Sequence, residues 1–243
     1  MRTLVVLPTY NEILNIEPML RALRSVVPEC HILVVDDNSP DGTADKAGAL
    51  SLELGNIQVL RREQKSGLGG AYRAGFALGL SDGYERFVEI DCDFSHDPKA
   101  LPALLEAANS SDVVIGSRYV KGGKIPRWAL SRRVLSRGGN QYASLMLGLR
   151  VRDSTAGYRV YSASSLEKID YQTVSADGYG FQIEMTYRAR RGGASIVEVP
   201  ISFSDRTAGE SKMSGNIVLE ALVLVTKWAL LRPFAKVTLG QSK

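Results

Sequence analysis

The sequence predicts an α/β fold with a mostly parallel central sheet flanked by helices on both faces. Two observations carry that prediction. Short β-rich runs alternate with segments of helical pattern through residues 1–116, as strand–helix–strand units do. Polar groups then gather just past the C-terminal ends of four of those runs, where sheets of this kind bind ligands.

Taken in order, the first strand is expected at 3–7 and leads into Pro8-Thr9-Tyr10-Asn11-Glu12. A helix near 13–25 and a strand at 31–35 follow, ending at Asp36-Asp37-Asn38-Ser39-Pro40-Asp41-Gly42. Asp41-Gly42-Thr43 reads as the cap of a helix over 44–54. The third strand, 57–60, runs into Arg61-Arg62-Glu63-Gln64-Lys65-Ser66-Gly67 and a helix over 68–80. The fourth, 87–90, meets Asp91-Cys92-Asp93-Phe94-Ser95-His96-Asp97-Pro98, and Pro98 suits the first turn of a helix over 99–107. A fifth strand is expected at 112–115.

In extended backbone, residues i and i+2 share a side, so Asp91 and Asp93 are expected to face one point. With the Ser95 hydroxyl they form an incomplete all-oxygen shell. Such a shell suits Mg²⁺ or Mn²⁺ completed by phosphate oxygens and water. A solvated surface turn is the plainer alternative. Capping, however, needs one small polar residue per helix, not several carboxylates on one rim. Gly67-Leu68-Gly69-Gly70-Ala71-Tyr72 superficially matches a dinucleotide-binding turn, but Tyr72 stands where that turn requires Gly or Ala. Gly69 and Gly75 are better read as packing glycines.

At 243 residues the chain can bury a substantial core. No secretory signal is expected at its start, and no run of 18 apolar residues would span a bilayer. Two cysteines, Cys30 and Cys92, fit a reduced cytoplasmic protein better than a disulfide. The net charge of +4 hides an uneven distribution: residues 113–152 hold no Asp or Glu. They carry Arg118, Lys121, Lys124, Arg127, Arg132, Arg133, Arg137, Arg150 and Arg152. Such a segment expects an anionic partner: phosphates, nucleic acid or an acidic membrane surface. A nucleic-acid-binding module is disfavoured, because Tyr119, Trp128 and Tyr142 are too sparse for a stacking platform and the acidic strand ends repel phosphates unless a cation intervenes.

After Gly116 the regular alternation stops. A helix-like run covers 129–149 and places Arg132, Ser136 and Asn140 on one face. Gln182 and Glu184 sit on a helix after a glycine-flanked turn, where Glu184 could orient an acceptor or an arginine. Of the two histidines, His31 reads as structural and His96 as a hydrogen-bonding or ligating neighbour of the acids. The run 217–231 is apolar apart from Glu220, Thr226 and Lys227, too short and too charged to span. It is expected to lie at a membrane surface, with Trp228 and Phe234 among Lys227, Arg232 and Lys236; a buried core helix is the alternative.

The ordered set of motifs resembles the family 2 glycosyltransferases with the GT-A fold, most closely the polyprenol-phosphate (dolichol-phosphate) mannose synthases. Besides the three strand-end motifs, the resemblance rests on Gly116-Ser117-Arg118-Tyr119, Ser136-Arg137-Gly138-Gly139-Asn140 and the run from Asp153 to Tyr161. It continues through Gly178-Tyr179-Gly180-Phe181-Gln182-Ile183-Glu184-Met185 to the run from Asp205 to Lys212. It implies a GT-A domain over 1–215, with a nucleotide-binding half (1–116), an acceptor half (117–215) and an amphipathic region at 216–243. By the same resemblance Pro8, Tyr10, Glu12, Val35 and Asp37 hold the guanosine of GDP-mannose. Asp91, Cys92 and Asp93 lie along the diphosphate, with the Mg²⁺ or Mn²⁺ on Asp93 and Ser95 and Asp91 close to it. Arg118, Arg132, Ser136 and Arg206 meet the lipid phosphate or the diphosphate. Lys212 is a diphosphate cation in a glycine-bearing loop that could close over the nucleotide.

The sequence departs from the family at Cys92, where Ala is common, and at Ser95, where some members have Gln. The implied reaction is inverting transfer of mannose from GDP-mannose to a polyprenyl monophosphate, with Asp93, Arg118 and Arg206 as its catalytic groups. The implied setting is peripheral, on the cytoplasmic face of a membrane. A separate membrane-spanning protein is an admissible partner, since some members carry spanning helices after this point. The competing enzyme reading is a polyprenyl-phosphate glucose or aminosugar transferase using another nucleotide sugar. A processive polysaccharide synthase is disfavoured, because Arg127-Trp128 lacks the upstream Gln of that group's motif.

Overall fold

The computed structural model describes residues 1–65, 67–205 and 215–231, the side chains of 215–220 excepted. The chain runs β1 (Thr3–Thr9), α1 (Ile16–Val26), β2 (His31–Asp36), α2 (Thr43–Leu54), β3 (Ile57–Arg61), α3 (Gly67–Ser81) and β4 (Arg86–Glu89). It continues through α4 (Leu101–Ala107), β5 (Val113–Ser117), α5 (Leu130–Leu147), β6 (Arg159–Ser162), α6 (Ala163–Ile169), α7 (Gly178–Arg191), β7 (Ile196–Pro200) and α8 (Gly215–Leu231). Among the described residues the strands form a seven-stranded sheet in the order β3-β2-β1-β4-β6-β5-β7. All pairings are parallel except those of β6 with β4 and β5.

Strand alternation sends side chains to two cores. Leu4 and Val6 of β1 and Leu33 and Val35 of β2 face one core, closed by α3, α5, α6, α7 and α8. Val5, Leu7, Ile32 and Val34 face the other, closed by α1, α2 and α4. Helix α3 comes so near the sheet that a Cβ at Gly75 would sit 2.5 Å from Val6, and so near α7 that one at Gly69 would sit 2.8 Å from Phe181. These are packing glycines, as the sequence suggested. At the start of α4, Asp97 accepts from the Lys99 amide (2.9 Å) and Pro98 opens a short 3₁₀ turn.

Three expectations are corrected. Helix α1 begins at Ile16, not 13, after a turn at residues 13–15. The fourth strand ends at Glu89, so Asp91 and Asp93 stand in the loop beyond it rather than on extended backbone. The alternation also resumes after Gly116: β6 inserts antiparallel between β4 and β5, pairing Arg159 with Glu89 and Ile115. From sequence alone an arginine argues against burial, yet Arg159 is fully buried in this four-residue strand. Here its charge is solvated by the protein. Nε donates to the Ala156 carbonyl (2.7 Å), Nη2 to the Ser154 carbonyl (2.7 Å), and Nη1 to Thr186 Oγ1 (2.8 Å) and Tyr161 OH (3.1 Å).

Helix α8 packs on α5 and α7. Val225 is buried in the core and Trp228 stacks on Tyr187 at 6.3 Å, while Val223, Leu230 and Leu231 are exposed. The helix is thus a core helix on one face, where Trp228 lies, and leaves an apolar face exposed on the other. Phe234, Arg232 and Lys236 lie outside the described residues. No helix among the described residues is long and apolar enough to cross a membrane.

Candidate active site

A cavity of about 690 Å³ opens beyond the C-terminal ends of β1, β2 and β4. Pro8, Tyr10, Glu12 and Asp37 line one end. The two acids after β2 have separate roles. Asp36 turns inward and accepts from Thr9 Oγ1 (2.8 Å), the Ser39 amide (2.8 Å) and Ser39 Oγ (2.6 Å), stitching β1 to the loop after β2. Asp37 reaches the cavity, and its Oδ1 accepts from Arg62 Nη1 at 2.6 Å. Lys65 Nζ sits 4.1 Å above the Tyr10 ring, a cation held on an aromatic face. Glu12 Oε2 accepts from Asn15 Nδ2 (2.7 Å).

Asp41 is structural. Its carboxylate accepts from the Thr43 amide and hydroxyl and from the Ile13 amide. Partial burial would raise its pKa, but those hydrogen bonds together lower it. Val35 does not reach the site through its side chain, which packs in the core beside Gly75.

Asp91, Cys92, Asp93 and Ser95 all line the cavity, from the loop beyond β4 rather than from the strand itself. Phe94 takes φ +60, and Asp93 Oδ1 accepts from the Ser95 amide at 2.9 Å, which fixes this buried carboxylate. Asp91 is more open, with its side chain 32% exposed and Oδ2 3.6 Å from His96 Nδ1. His96 is enclosed by Tyr158 and Phe203; burial pulls its pKa down to about 4, so the imidazole is neutral at pH 7. Burial pushes the Cys92 thiol well up, which keeps it protonated and unreactive. Beneath this floor, burial raises Glu89 to about 7, and its Oε2 accepts from Gln182 Nε2 (3.0 Å).

Among the described residues, no three His, Cys, Asp or Glu are grouped so as to hold a metal unaided. The hard oxygens of Asp91, Asp93 and Ser95 therefore fit a divalent cation only as a partial set, completed by ligand oxygens and water. The charge of the wall agrees. Its described carboxylates are Glu12, Asp37, Asp91, Asp93, Asp177 and Asp205, against the cations Lys65, Arg118 and Arg132. Carboxylates thus outnumber cations among the described lining residues, a balance that suits a divalent cation beside an anionic ligand.

The opposite end is cationic but closely tied. Arg118, at the end of β5, is buried and forms a bidentate pair with buried Asp153, Nε to Oδ2 at 2.8 Å and Nη2 to Oδ1 at 2.6 Å. Burial works against its charge, and Asp153 more than offsets that, so its pKa is raised. Arg132 lies 3.9 Å over the Trp128 ring, with Nη1 3.2 Å from Asp205 Oδ1, and also lines the cavity. Ser136 does not line it; its hydroxyl accepts from Tyr119 OH (2.7 Å). Arg206 and Lys212 fall outside the described residues. Glu184 does orient an arginine: it accepts from Arg188 Nε (2.9 Å) and Nη2 (2.6 Å), away from the cavity. Asp153, Thr155 and Asp177 were missed as functional candidates. The first two lie within a quoted motif, but nothing local shows that they serve Arg118.

The profile described as "Glycosyl transferase family 2" matches residues 4–170. The undecaprenyl-phosphate mannosyltransferase of Micrococcus luteus is 54% identical over 95% of this chain and 95% of its own length. The polyprenol monophosphomannose synthase of Mycolicibacterium smegmatis is 48% identical over 94% of this chain and 87% of its own. Among solved structures, glucosyl-3-phosphoglycerate synthase from Mycobacterium tuberculosis in complex with UDP is similar with a TM-score of 0.68 at 20% identity, covering 94% of this chain and 80% of that one. The same enzyme with Mn²⁺, UDP and glucosyl-3-phosphoglycerate gives 0.61 at 21% identity, over 99% and 81%. The sheet order and these likenesses identify a GT-A fold, and the chain belongs to glycosyl transferase family 2.

Proposed function

We propose that the protein transfers mannose from GDP-mannose to a polyprenyl monophosphate, inverting the anomeric configuration. One observation carries this reading: a single cavity is lined both by the acids Asp91 and Asp93 and by the arginines Arg118 and Arg132. That is a place for two anions, one needing a cation and one supplied with guanidinium donors. The two close relatives, named for mannosyl transfer to or from polyprenyl phosphates, support the sugar and the acceptor class.

In this mechanism an acceptor phosphate oxygen attacks the anomeric carbon from the face opposite the nucleotide. The new carbon–oxygen bond forms as the bond to the diphosphate breaks, and the diphosphate leaves with the electron pair. A phosphate monoester has a second pKa of about 6, so the nucleophile is largely dianionic at pH 7. No general base is required, in keeping with a neutral His96 and with Glu184 turned away. Arg118 and Arg132 hold the acceptor phosphate in line, and their prior fixation by Asp153 and Trp128 lowers the entropy of reaching that geometry. Bound Mg²⁺ or Mn²⁺, held by Asp91, Asp93 and Ser95, would balance charge on the departing diphosphate. Pro8, Tyr10, Glu12 and Asp37 receive the nucleoside. Arg206 and Lys212 complete the anion contacts.

The acceptor is a membrane lipid, and the outer surface of α5 suits a peripheral protein that works at a bilayer. Leu130, Val134 and Leu145 share one exposed stripe, with Leu135 and Met146 beside it and Arg133 and Arg137 at its margin. Val223, Leu230 and Leu231 of α8, which packs on α5, are exposed as well. An apolar stripe edged with arginine fits an anionic lipid surface.

The test is an assay of purified protein with labelled GDP-mannose or UDP-glucose, polyprenyl phosphate in lipid and added Mn²⁺, followed by identification of the lipid product. The reading expects a mannosyl phospholipid from GDP-mannose at a rate well above that from UDP-glucose. Preferential transfer from UDP-glucose would assign the competing sugar.

A further inference from the structure

Thr155 Oγ1 accepts from Arg118 Nη2 (2.8 Å) and from Asn140 Nδ2 (3.0 Å), joining the guanidinium to α5. Both hydroxyl lone pairs are thereby used. Asn140, only 1% exposed, makes three further bonds. Nδ2 donates to the Ser136 carbonyl (3.0 Å), and Oδ1 accepts from Ser154 Oγ (3.0 Å) and the Thr155 amide (3.1 Å). Two donors and two lone pairs exhaust the amide's capacity, so it cannot turn without leaving buried groups unpaired.

Neutralising Arg118 does not require these bonds, because Asp153 already does so through two of its own. What Thr155 adds is direction. With Nε and Nη2 engaged, Nη1 is the guanidinium nitrogen that donates to no described residue, on a side chain that lines the cavity.

We propose that Asn140 and Thr155 are positioning residues that aim Arg118 at the acceptor phosphate from α5. The acceptor end of the site is then set by the same helix whose outer surface is apolar and edged with arginine. This inference rests on the reading of Arg118 as a ligand of the acceptor phosphate.

The test varies polyprenyl phosphate and GDP-mannose separately in Thr155→Val, Thr155→Ser and Arg118→Ala, with GDP affinity measured by calorimetry. Valine keeps the shape of threonine and removes Oγ1; serine keeps Oγ1. Thr155→Val is expected to raise the KM for polyprenyl phosphate about ten-fold, as loss of a hydrogen bond to a charged group does. Its GDP affinity is expected to stay within about two-fold of wild type. Thr155→Ser restores the acceptor KM, and adding Thr155→Val to Arg118→Ala has little further effect, since both remove one interaction. Valine and serine variants behaving alike, parallel loss of donor and acceptor affinity, or full additivity with Arg118→Ala would each overturn the proposal. Should Thr155→Val fail to fold, Asn140→Ala carries the same expectation, with its melting midpoint recorded. Failure of the underlying reading is distinguishable: wild type would not use polyprenyl phosphate, or Arg118→Ala would leave its KM unchanged, and either overturns both.

Discussion

The half proposed to bind the donor and the half proposed to bind the acceptor build their polar walls by different means. In residues 1–116 the cavity-lining acids stand just past parallel strands: Glu12 after β1, Asp37 after β2, Asp91 and Asp93 after β4. Their partners are close at hand, as with the Ser95 amide on Asp93 or Arg62, just past the neighbouring strand, on Asp37. In the acceptor half the strand-end residue Arg118 is held by Asp153 and Thr155, 35 and 37 residues further on, with Asn140 tying Thr155 and Ser154 to α5. The donor wall is a row of separate groups on a rigid edge. The acceptor wall around Arg118 is a connected network whose members come from distant parts of the chain.

That contrast is most exposed by deleting one acid from each wall. Asp153→Ala leaves the Arg118 charge buried and unpaired, and is expected to cost about 3–5 kcal/mol of folding stability. Asp91→Ala, at a partly exposed loop position, is expected to cost less than about 1 kcal/mol while still reducing transfer. Urea denaturation of the two variants checks this. Equal losses would mean that the two halves are tied together in the same way.

A smaller effect sharpens the comparison at the surface. Changing Leu130 and Val134 together to Asp is expected to weaken binding to anionic phospholipid vesicles at least ~10-fold, since each side chain forfeits the burial energy of an apolar group. GDP binding, which belongs to the donor wall, should not change. Co-sedimentation and calorimetry report the two quantities separately. Undiminished vesicle binding would remove α5 from the membrane-facing surface.

The same contrast explains what could be read from the sequence. The donor half was legible because a parallel strand announces itself by an apolar run, and its functional group follows within a few residues. Asp91 and Asp93 were singled out in this way, although both stand in the loop beyond β4 rather than on the strand. The acceptor half hid its strands. Arg159 looks like a surface residue until the Ser154 and Ala156 carbonyls are seen to solvate it. Asp153 looks like any loop acid until the chain folds it onto Arg118. Ser136 and Asn140 were rightly placed on one helical face. Their partners, Tyr119 and Thr155, come from elsewhere in the chain, so pattern alone could not assign their roles.

The central proposal is that a wall whose described residues are richer in carboxylates than in cations accepts a nucleoside diphosphate only with a divalent ion on the acids after β4. Calorimetric titration of GDP into wild-type and Asp93→Asn protein, with Mn²⁺ and then with EDTA, tests it most directly. The account predicts wild-type affinity at least ~100-fold higher with Mn²⁺, a gap of about 2.7 kcal/mol, and no such gain in Asp93→Asn. Equal GDP affinity in Mn²⁺ and in EDTA would contradict it.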